Sequence, residues 1–373
     1  MTQSGQSPVL PDYSGACLSN LVPVLQRRAV PPSWLPERAA TARQVVLLVL
    51  DGLGWLQLRE RLSLAPALRA MEGGPIHSVA PTTTACALAS LTLGRPPAAH
   101  GIVGYRLRLP DGQVLNVLRW RTAEGDARQQ VPPQCFQPDL AFGGQPVPAI
   151  TRAEFAGSGF SVAHLRGARL RGWREPSAIA VEVRALLAEG HPFVYAYYDG
   201  IDHVAHERGF GPYYDAELVA ADRLVADVAG ALPAGAALVV TSDHGQVEVG
   251  DRLVLWPREV QAECEAVSGE GRFTWLHARP GRAVALAEAA RAWLDAAGLG
   301  WVATREEAVG AGWFGGPLRP AVAARLGDVA LVAREPVAFC SPSSEAQTGP
   351  APLRCRHGSL TAEEMLVPLL AVG

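Results

Sequence analysis

Five short segments carry the side chains able to do chemistry. They are Asp51 in LDGLG, the triplet Thr82-Thr83-Thr84 in PTTTA, Asp202 with His206 in IDHVAHERG, Asp243-His244 in TSDHG, and His357 in RHGSLTAEEMLVPL. The set is hard oxygens and imidazoles without a thiolate, which suits a catalytic divalent cation, zinc or manganese, and not a structural cysteine site. Asp202 and His206 stand four apart, so one helical turn puts both on one face, able to grip a single ion. Asp243 and His244 are neighbours and can share an ion only if the strand before them ends in a turn, as Gly245 permits. One catalytic zinc needs about three protein ligands, whereas six side chains and a hydroxyl suffice for two ions. Two cations about 4 Å apart suit displacement at phosphorus, one activating the nucleophile and the other holding the leaving oxygen. Paired cations also stabilise the charge on the phosphorus oxygens without any lysine.

Each segment alone has a plainer explanation. Asp51-Gly52 reads as a strand-end turn, and the threonines after Pro81 read as a helix N-cap, a role Thr84 can fill while remaining reactive. The Asp202/His206 spacing arises often by chance, and a single histidine such as His357 is ordinarily a surface or core residue. The joint pattern is what points to a site, because the acids recur at strand ends. Gln44–Leu50 (QVVLLVL), Phe193–Tyr198 (FVYAYY) and Ala236–Thr241 (AALVVT) are unbroken apolar runs, the pattern of parallel strands buried on both faces. They end in Asp51, Asp199 and Ser242-Asp243. Helical spacing over 55–71, 85–93, 176–189, 213–231 and 283–297 alternates with them, and 160–165 reads as a further strand. Residues 105–120 read as a hairpin turning at Pro110-Asp111-Gly112. Alternation of this kind predicts a wound α/β sheet with its ligand site along the carboxyl edge. Residues 1–40 form a Pro-punctuated lead-in packing on the surface of the core. A single catalytic domain spans 41–373, with an insertion at about 250–345 before the last site residue.

Composition narrows the chemistry. The chain has 373 residues, a formal net charge of −3 and 49% hydrophobic residues. That balance carries no basic excess for a nucleic-acid polymer or a membrane surface. All 33 basic residues are arginine, so a P-loop lysine, a Schiff base and pyridoxal attachment are excluded. The six cysteines fall without CxxC spacing, and the N-terminus lacks a basic segment leading into an apolar one. The expectation is a cytoplasmic protein with reduced thiols.

The motifs together resemble the alkaline phosphatase superfamily and, within it, the type I phosphodiesterase/nucleotide pyrophosphatase branch. The matching segments are LDGLG, APTTTACALASLTLGRPPAAHGIVGY, IDHVAHERG, SDHG and HGSLTAEEMLVPL, in the family's order over residues 46 to 370. The resemblance implies an alkaline-phosphatase-like wound sheet with helices on both faces and an inserted subdomain. It makes Thr84 the nucleophile of a covalent phosphothreonine route. One cation would be held by Asp51, Thr84, Asp243 and His244, and a second by Asp202, His206 and His357. The backbone N–H of Ala85 would face a phosphate oxygen. Tyr105 stands where the branch usually has an asparagine that donates to phosphate, so either its phenol donates instead or that interaction is absent. The substrate implied is a small phosphodiester or nucleotide. A phosphonoacetate-type hydrolase and a phosphomonoesterase remain alternatives on the same two-metal site, as does a metal-stabilised binding protein without activity. The sulfatase motif is missing, since Cys86 is followed by Ala87 and Leu88.

Overall fold

The computed structural model describes residues 7–27, 30–340 and 353–373. Its main sheet has seven strands: β1 (Gln44–Leu50), β2 (Glu72–His77), β3 (Pro148–Arg152), β4 (Arg169–Trp173), β5 (Phe193–Tyr198), β6 (Ala236–Thr241) and β7 (Leu366–Val372). Their order is β2-β7-β6-β1-β5-β3-β4, and β7 alone runs against its neighbours. In β1, Val45, Leu47 and Val49 face one apolar layer while Val46, Leu48 and Leu50 face the other. Burial on both faces is why this strand lacks the polar alternation of a half-exposed one.

Helices fill both layers. On one side lie α1 (Leu18–Arg27) and α2 (Thr84–Leu93), and on the other α3 (Ser177–Ala188) and α5 (Pro212–Ala229). Between them in sequence, α4 (Gly200–Arg208) leaves the end of β5. No described helix is long and apolar enough to cross a membrane. Cys17, Cys86, Cys135, Cys264 and Cys355 form no disulfide among the described residues.

The inserted segment builds its own four-stranded antiparallel sheet, ordered 264–270, 273–278, 329–333, 300–304. Leu276, Val329 and Leu331 on one face pack with Leu286, Ala290 and Leu294 of α6 (Ala283–Ala297). Phe273, Trp275, Ala330 and Val332 on the other face join the main core. Trp120, Phe142, Trp256, Trp275 and Trp313 are all buried in these cores.

Three expectations differ from what forms. The strand-like stretch 160–165 is helical over 160–164, within Gly159–His164, because the Ser158 side chain accepts from the Ser161 N–H and caps a helix start. The helical stretch 55–71 is two short helices, Trp55–Glu60 and Pro66–Arg69, with Pro66 starting the second where a missing N–H costs nothing. The lead-in does not simply lie on the surface. Leu18, Leu21 and Val22 of α1 are buried in the core that α2 shares.

A fully buried ion pair joins the insertion to the main fold. Arg272, fully buried, donates from Nε and an Nη to the two Glu364 carboxylate oxygens at 2.9 and 2.8 Å, and from its other Nη to the carbonyls of Glu335 and Val337. Removing one partner strands a charge in the interior, which costs far more than losing a surface pair. Arg272→Ala is expected to destabilise the protein by about 3–5 kcal/mol in chemical denaturation, and Arg272→Met with Glu364→Leu together to recover most of it.

Candidate metal centre

The centre lies beyond the carboxyl ends of β6, β1 and β5, three adjacent parallel strands, as a wound sheet requires. Asp51 follows β1, Asp243 and His244 follow β6, and Asp202 and His206 project from α4 after β5. Gly52 makes this convergence possible. Its φ is +74°, and a Cβ there would come within 2.9 Å of Asp202 Cα and 2.4 Å of Gln246 Nε2. Thr84 is the first residue of α2, while Thr83 holds the N-cap position that sequence allowed to Thr84. His357 arrives on the chain returning from the insertion.

Distances bring these side chains into one cluster. His244 Nε2 lies 3.1 Å from Thr84 Oγ1, 3.3 Å from Asp243 Oδ2 and 3.5 Å from Asp51 Oδ1. His206 Nε2 lies 3.3 Å from Asp202 Oδ1. The His357 ring stacks on His244 at 3.6 Å between centroids and sits 5.2 Å from His206. Asp202, His206 and His357 each offer a donor atom within 4.8 Å of the others, and so do Asp51, Asp202 and His244. Asp202 therefore faces both groups.

The imidazoles are oriented by the backbone. His206 Nδ1 meets the Cys355 carbonyl at 2.7 Å, His357 Nδ1 the Thr82 carbonyl at 2.8 Å, and His244 Nδ1 the Gly245 carbonyl at 3.1 Å. A carbonyl only accepts, so each Nδ1 donates to it and each ring turns its Nε2 inward. Among the carboxylates, Asp51 takes a hydrogen bond from the Tyr197 hydroxyl, and Asp243 Oδ1 accepts from the N–H groups of Gly52 and His244 at 3.1 Å each. Asp202 Oδ1 accepts from Gln246 at 2.9 Å. Asp51 Oδ1 and Asp243 Oδ2 are buried with no hydrogen-bond partner among the described residues.

Electrostatics agree with a site built for cations. Burial, then the charges of Asp243 and Asp202, pushes the Asp51 carboxyl well above the usual carboxylate range. Burial raises Asp202 too, against the opposing pull of His206 and His244. Burial, followed by His244 and His206, drives His357 well below an ordinary imidazole. Bare buried oxygens, mutual acid repulsion and Nε2 atoms turned inward together fit a site for divalent cations, with Asp202 shared between the two groups of donor atoms.

The remaining candidates fall elsewhere. Ala85 is the second residue of α2, where a backbone N–H has no partner within the helix. Tyr105 is half-buried, and its hydroxyl accepts from Asn116 Nδ2 at 2.7 Å in the predicted hairpin, which forms between 106–108 and 114–116. Asp199, the third strand-end acid, is taken by Arg152 at 2.7 and 2.8 Å. His203 is exposed beside Glu207, and His100 and His277 bond Ser90 and Ser268 in the interior. Of the tyrosines flanking Asp202, Tyr198 bonds Glu217, Tyr213 lies exposed under Arg208 and Tyr214 packs beneath Arg61.

Sequence reasoning did not single out Tyr197's hydroxyl for Asp51, Gln246 for Asp202, or Glu270. Gln246 directly follows TSDHG, so its position was a usable signal. Glu270 had none. It sits at the tip of the insertion's first hairpin, and a Cβ at Gly358 would lie 2.8 Å from its Cδ and Oε1. Burial and the Glu364 charge push the Glu270 carboxyl up to about 8, against a hydrogen bond from Thr83 and the Arg356 charge.

Comparison with known proteins accords with this arrangement. The family model described as type I phosphodiesterase / nucleotide pyrophosphatase matches residues 45–359. No curated protein matches the sequence. Among solved structures, an inactive threonine-to-alanine variant of murine ectonucleotide pyrophosphatase/phosphodiesterase 5, in complex with AMP, superposes with a TM-score of 0.66 at 15% identity, covering 88% of this chain and 87% of that one. Phosphonoacetate hydrolase from Sinorhizobium meliloti 1021, in complex with phosphonoformate, gives 0.64 at 21% identity over 89% and 90%. With the ligand geometry and the family match in agreement, the chain belongs to the type I phosphodiesterase / nucleotide pyrophosphatase family of metal-dependent, two-metal hydrolases.

Proposed function

We propose that the protein hydrolyses phosphodiester or pyrophosphate bonds of small molecules such as nucleotides, by way of a phosphothreonine at Thr84. The observation that carries this is the clustering of Asp51, Asp202, His206, Asp243, His244 and His357, with the Thr84 hydroxyl at a helix start 3.1 Å from His244. Two divalent cations, zinc or manganese, would supply Lewis acidity for the phosphorus oxygens and lower the pKa of an attacking hydroxyl. Asp51, Asp243, His244 and Thr84 would hold one, and Asp202, His206 and His357 the other.

The chain's own residues then do the following. Thr84 Oγ1 forms a bond to phosphorus as the bond to the leaving oxygen breaks, and its proton passes through solvent to that oxygen, which departs as an alcohol or phosphate. Water cleaves the resulting ester, returning the hydroxyl and releasing the phosphorylated product. The N–H of Ala85 donates to a phosphorus oxygen at the positive end of α2. The neighbour inactivated by a threonine-to-alanine change supports a threonine nucleophile. Phosphonate hydrolysis is the second reading. It is favoured by the phosphonoacetate hydrolase neighbour.

With zinc or manganese added, the protein is expected to hydrolyse bis-p-nitrophenyl phosphate and the p-nitrophenyl ester of thymidine 5′-monophosphate. EDTA should abolish turnover, and Thr84→Ala should lower kcat by about a thousandfold or more. Undiminished turnover in that variant removes Thr84 as nucleophile. Elemental analysis of the metal-stripped protein reloaded with zinc should find two equivalents per chain, and His206→Ala about one. A single equivalent in the wild type overturns the two-cation assignment.

A further inference from the structure

A buried amide joins the two halves of the cluster. We propose that Gln246 is a positioning residue, whose side chain fixes the Asp202 carboxylate so that the cation assigned to Asp202, His206 and His357 is held tightly. The proposal rests on the metal-dependent hydrolase reading above and adds to it a residue outside the ligand set.

Asp202 is the ligand whose aim matters most. Its carboxylate offers an atom within 4.8 Å of donors on His206 and His357, and likewise of donors on Asp51 and His244. A carboxylate facing two groups needs something to set its direction. The other candidate ligands have their holders: carbonyls for the three imidazoles, Tyr197 for Asp51 and two backbone N–H groups for Asp243. For Asp202 the holder among the described residues is Gln246, whose Nε2 lies 2.9 Å from Oδ1. Oδ1 is also the oxygen 3.3 Å from His206 Nε2. A carboxylate oxygen only accepts, so the amide must turn its nitrogen to Asp202. That bond takes one of the carboxylate's lone-pair sites and leaves the others for a cation.

The amide is placed for this bond and for little else. Gln246 is fully buried and stands two residues after His244, so the turn carrying ligands of one group reaches the acid of the other. Its backbone carbonyl accepts from Gln57 Nε2 at 2.7 Å. Gly52 leaves room for it, since a Cβ there would lie 2.4 Å from Gln246 Nε2. Gln246 Oε1 and Gln57 Oε1 are buried with no hydrogen-bond partner among the described residues. A buried acceptor left unpaired costs stability, which an apolar side chain of the same shape would avoid. Both amides accept that cost at the oxygen end and use the nitrogen end on the path to Asp202. A neutral donor suits the place, because a cationic one would repel the metal and an acidic one would repel Asp202. Partners that orient ligands in this way change metal affinity about 10- to 100-fold.

The test takes Gln246→Met, which keeps the shape and loses the donor, and Gln246→Asn, which keeps an amide and loses the reach. Glu259→Ala, on an exposed residue of the insertion, is the control. Competition with a chromophoric chelator gives the zinc affinity of each equivalent, and His206→Ala identifies the equivalent that belongs to Asp202. Both Gln246 variants should weaken that equivalent by about tenfold or more and leave the other within about threefold. Their metal-free melting temperatures should stay close to wild type. Turnover of bis-p-nitrophenyl phosphate at limiting zinc should fall with the weakened equivalent, and excess zinc should restore most of it. Glu259→Ala should match wild type throughout. Unchanged zinc affinity in a folded Gln246 variant overturns the proposal, as does equal weakening of both equivalents. Loss of the metal-free fold in both variants assigns Gln246 to packing and overturns it too. If His206→Ala loses no equivalent, Asp202 has no cation to be aimed at and the proposal falls. If the wild type binds zinc without cleaving esters, the hydrolase reading fails while the zinc titration still decides Gln246.

Discussion

Three carboxylates share one poorly hydrated pocket, and the arrangement around them follows from that repulsion. Donor oxygens of Asp51 and Asp202 lie within 4.8 Å of each other and of a His244 nitrogen. At an effective dielectric near 20, two like charges at that separation repel by about 3–4 kcal/mol. The fold relieves only part of this. Tyr197 donates to one oxygen of Asp51, and two backbone N–H groups donate to one oxygen of Asp243, while the other oxygen of each stays bare. A protein with no cation to bind would bury hydrophobic groups here at lower cost. The bare oxygens have a physical rationale as ligands and none as structure.

The same requirement sets the backbone around the cluster. Parallel strands bring three carboxyl termini to one edge, but their Cα atoms are a strand spacing apart, so the side chains must bridge inward. Gly52 allows the start of α4 to close on the end of β1. Thr82 ties the third direction. Its carbonyl fixes His357 Nδ1, and its hydroxyl accepts from the Gly358 N–H while donating to the Ser359 carbonyl. The residues that start α2 therefore also orient His357, and neither can shift without the other.

What sequence made readable was what local pattern encodes. A strand buried on both faces shows as an unbroken apolar run, so β1, β5 and β6 and the residues at their ends were accessible. The i, i+4 spacing of Asp202 and His206 was a true helical spacing for the same reason. Asp199 shows the limit: it meets the same strand-end rule, yet Arg152, reaching across from β3, captures it. The stretch 160–165 has strand-like residues but obeys a serine cap two residues upstream. Tyr105 held the aligned position, but its partner is Asn116 across a hairpin, a contact no linear spacing reports. Glu270 is the extreme case, since nothing near it in sequence bears on the site and tertiary packing alone delivers it.

That delivery explains why so long an insertion can sit between two ligands without loosening them. The chain leaves the sheet edge after His244 and returns only at His357, and a tether of that length would leave the last histidine poorly placed if the insertion moved freely. The insertion instead contributes one sheet face to the main core and is clamped at its hairpin tip by Arg272 and Glu364. Glu364 also accepts from the Thr361 hydroxyl at 2.7 Å and the Ser359 N–H, so the carboxylate that anchors the insertion also shapes the loop bearing His357. A buried ion pair is a weak contributor to net stability compared with well-packed apolar residues. Its value here is directional: it admits one relative placement of hairpin and loop, which keeps His357 beside the other candidate ligands.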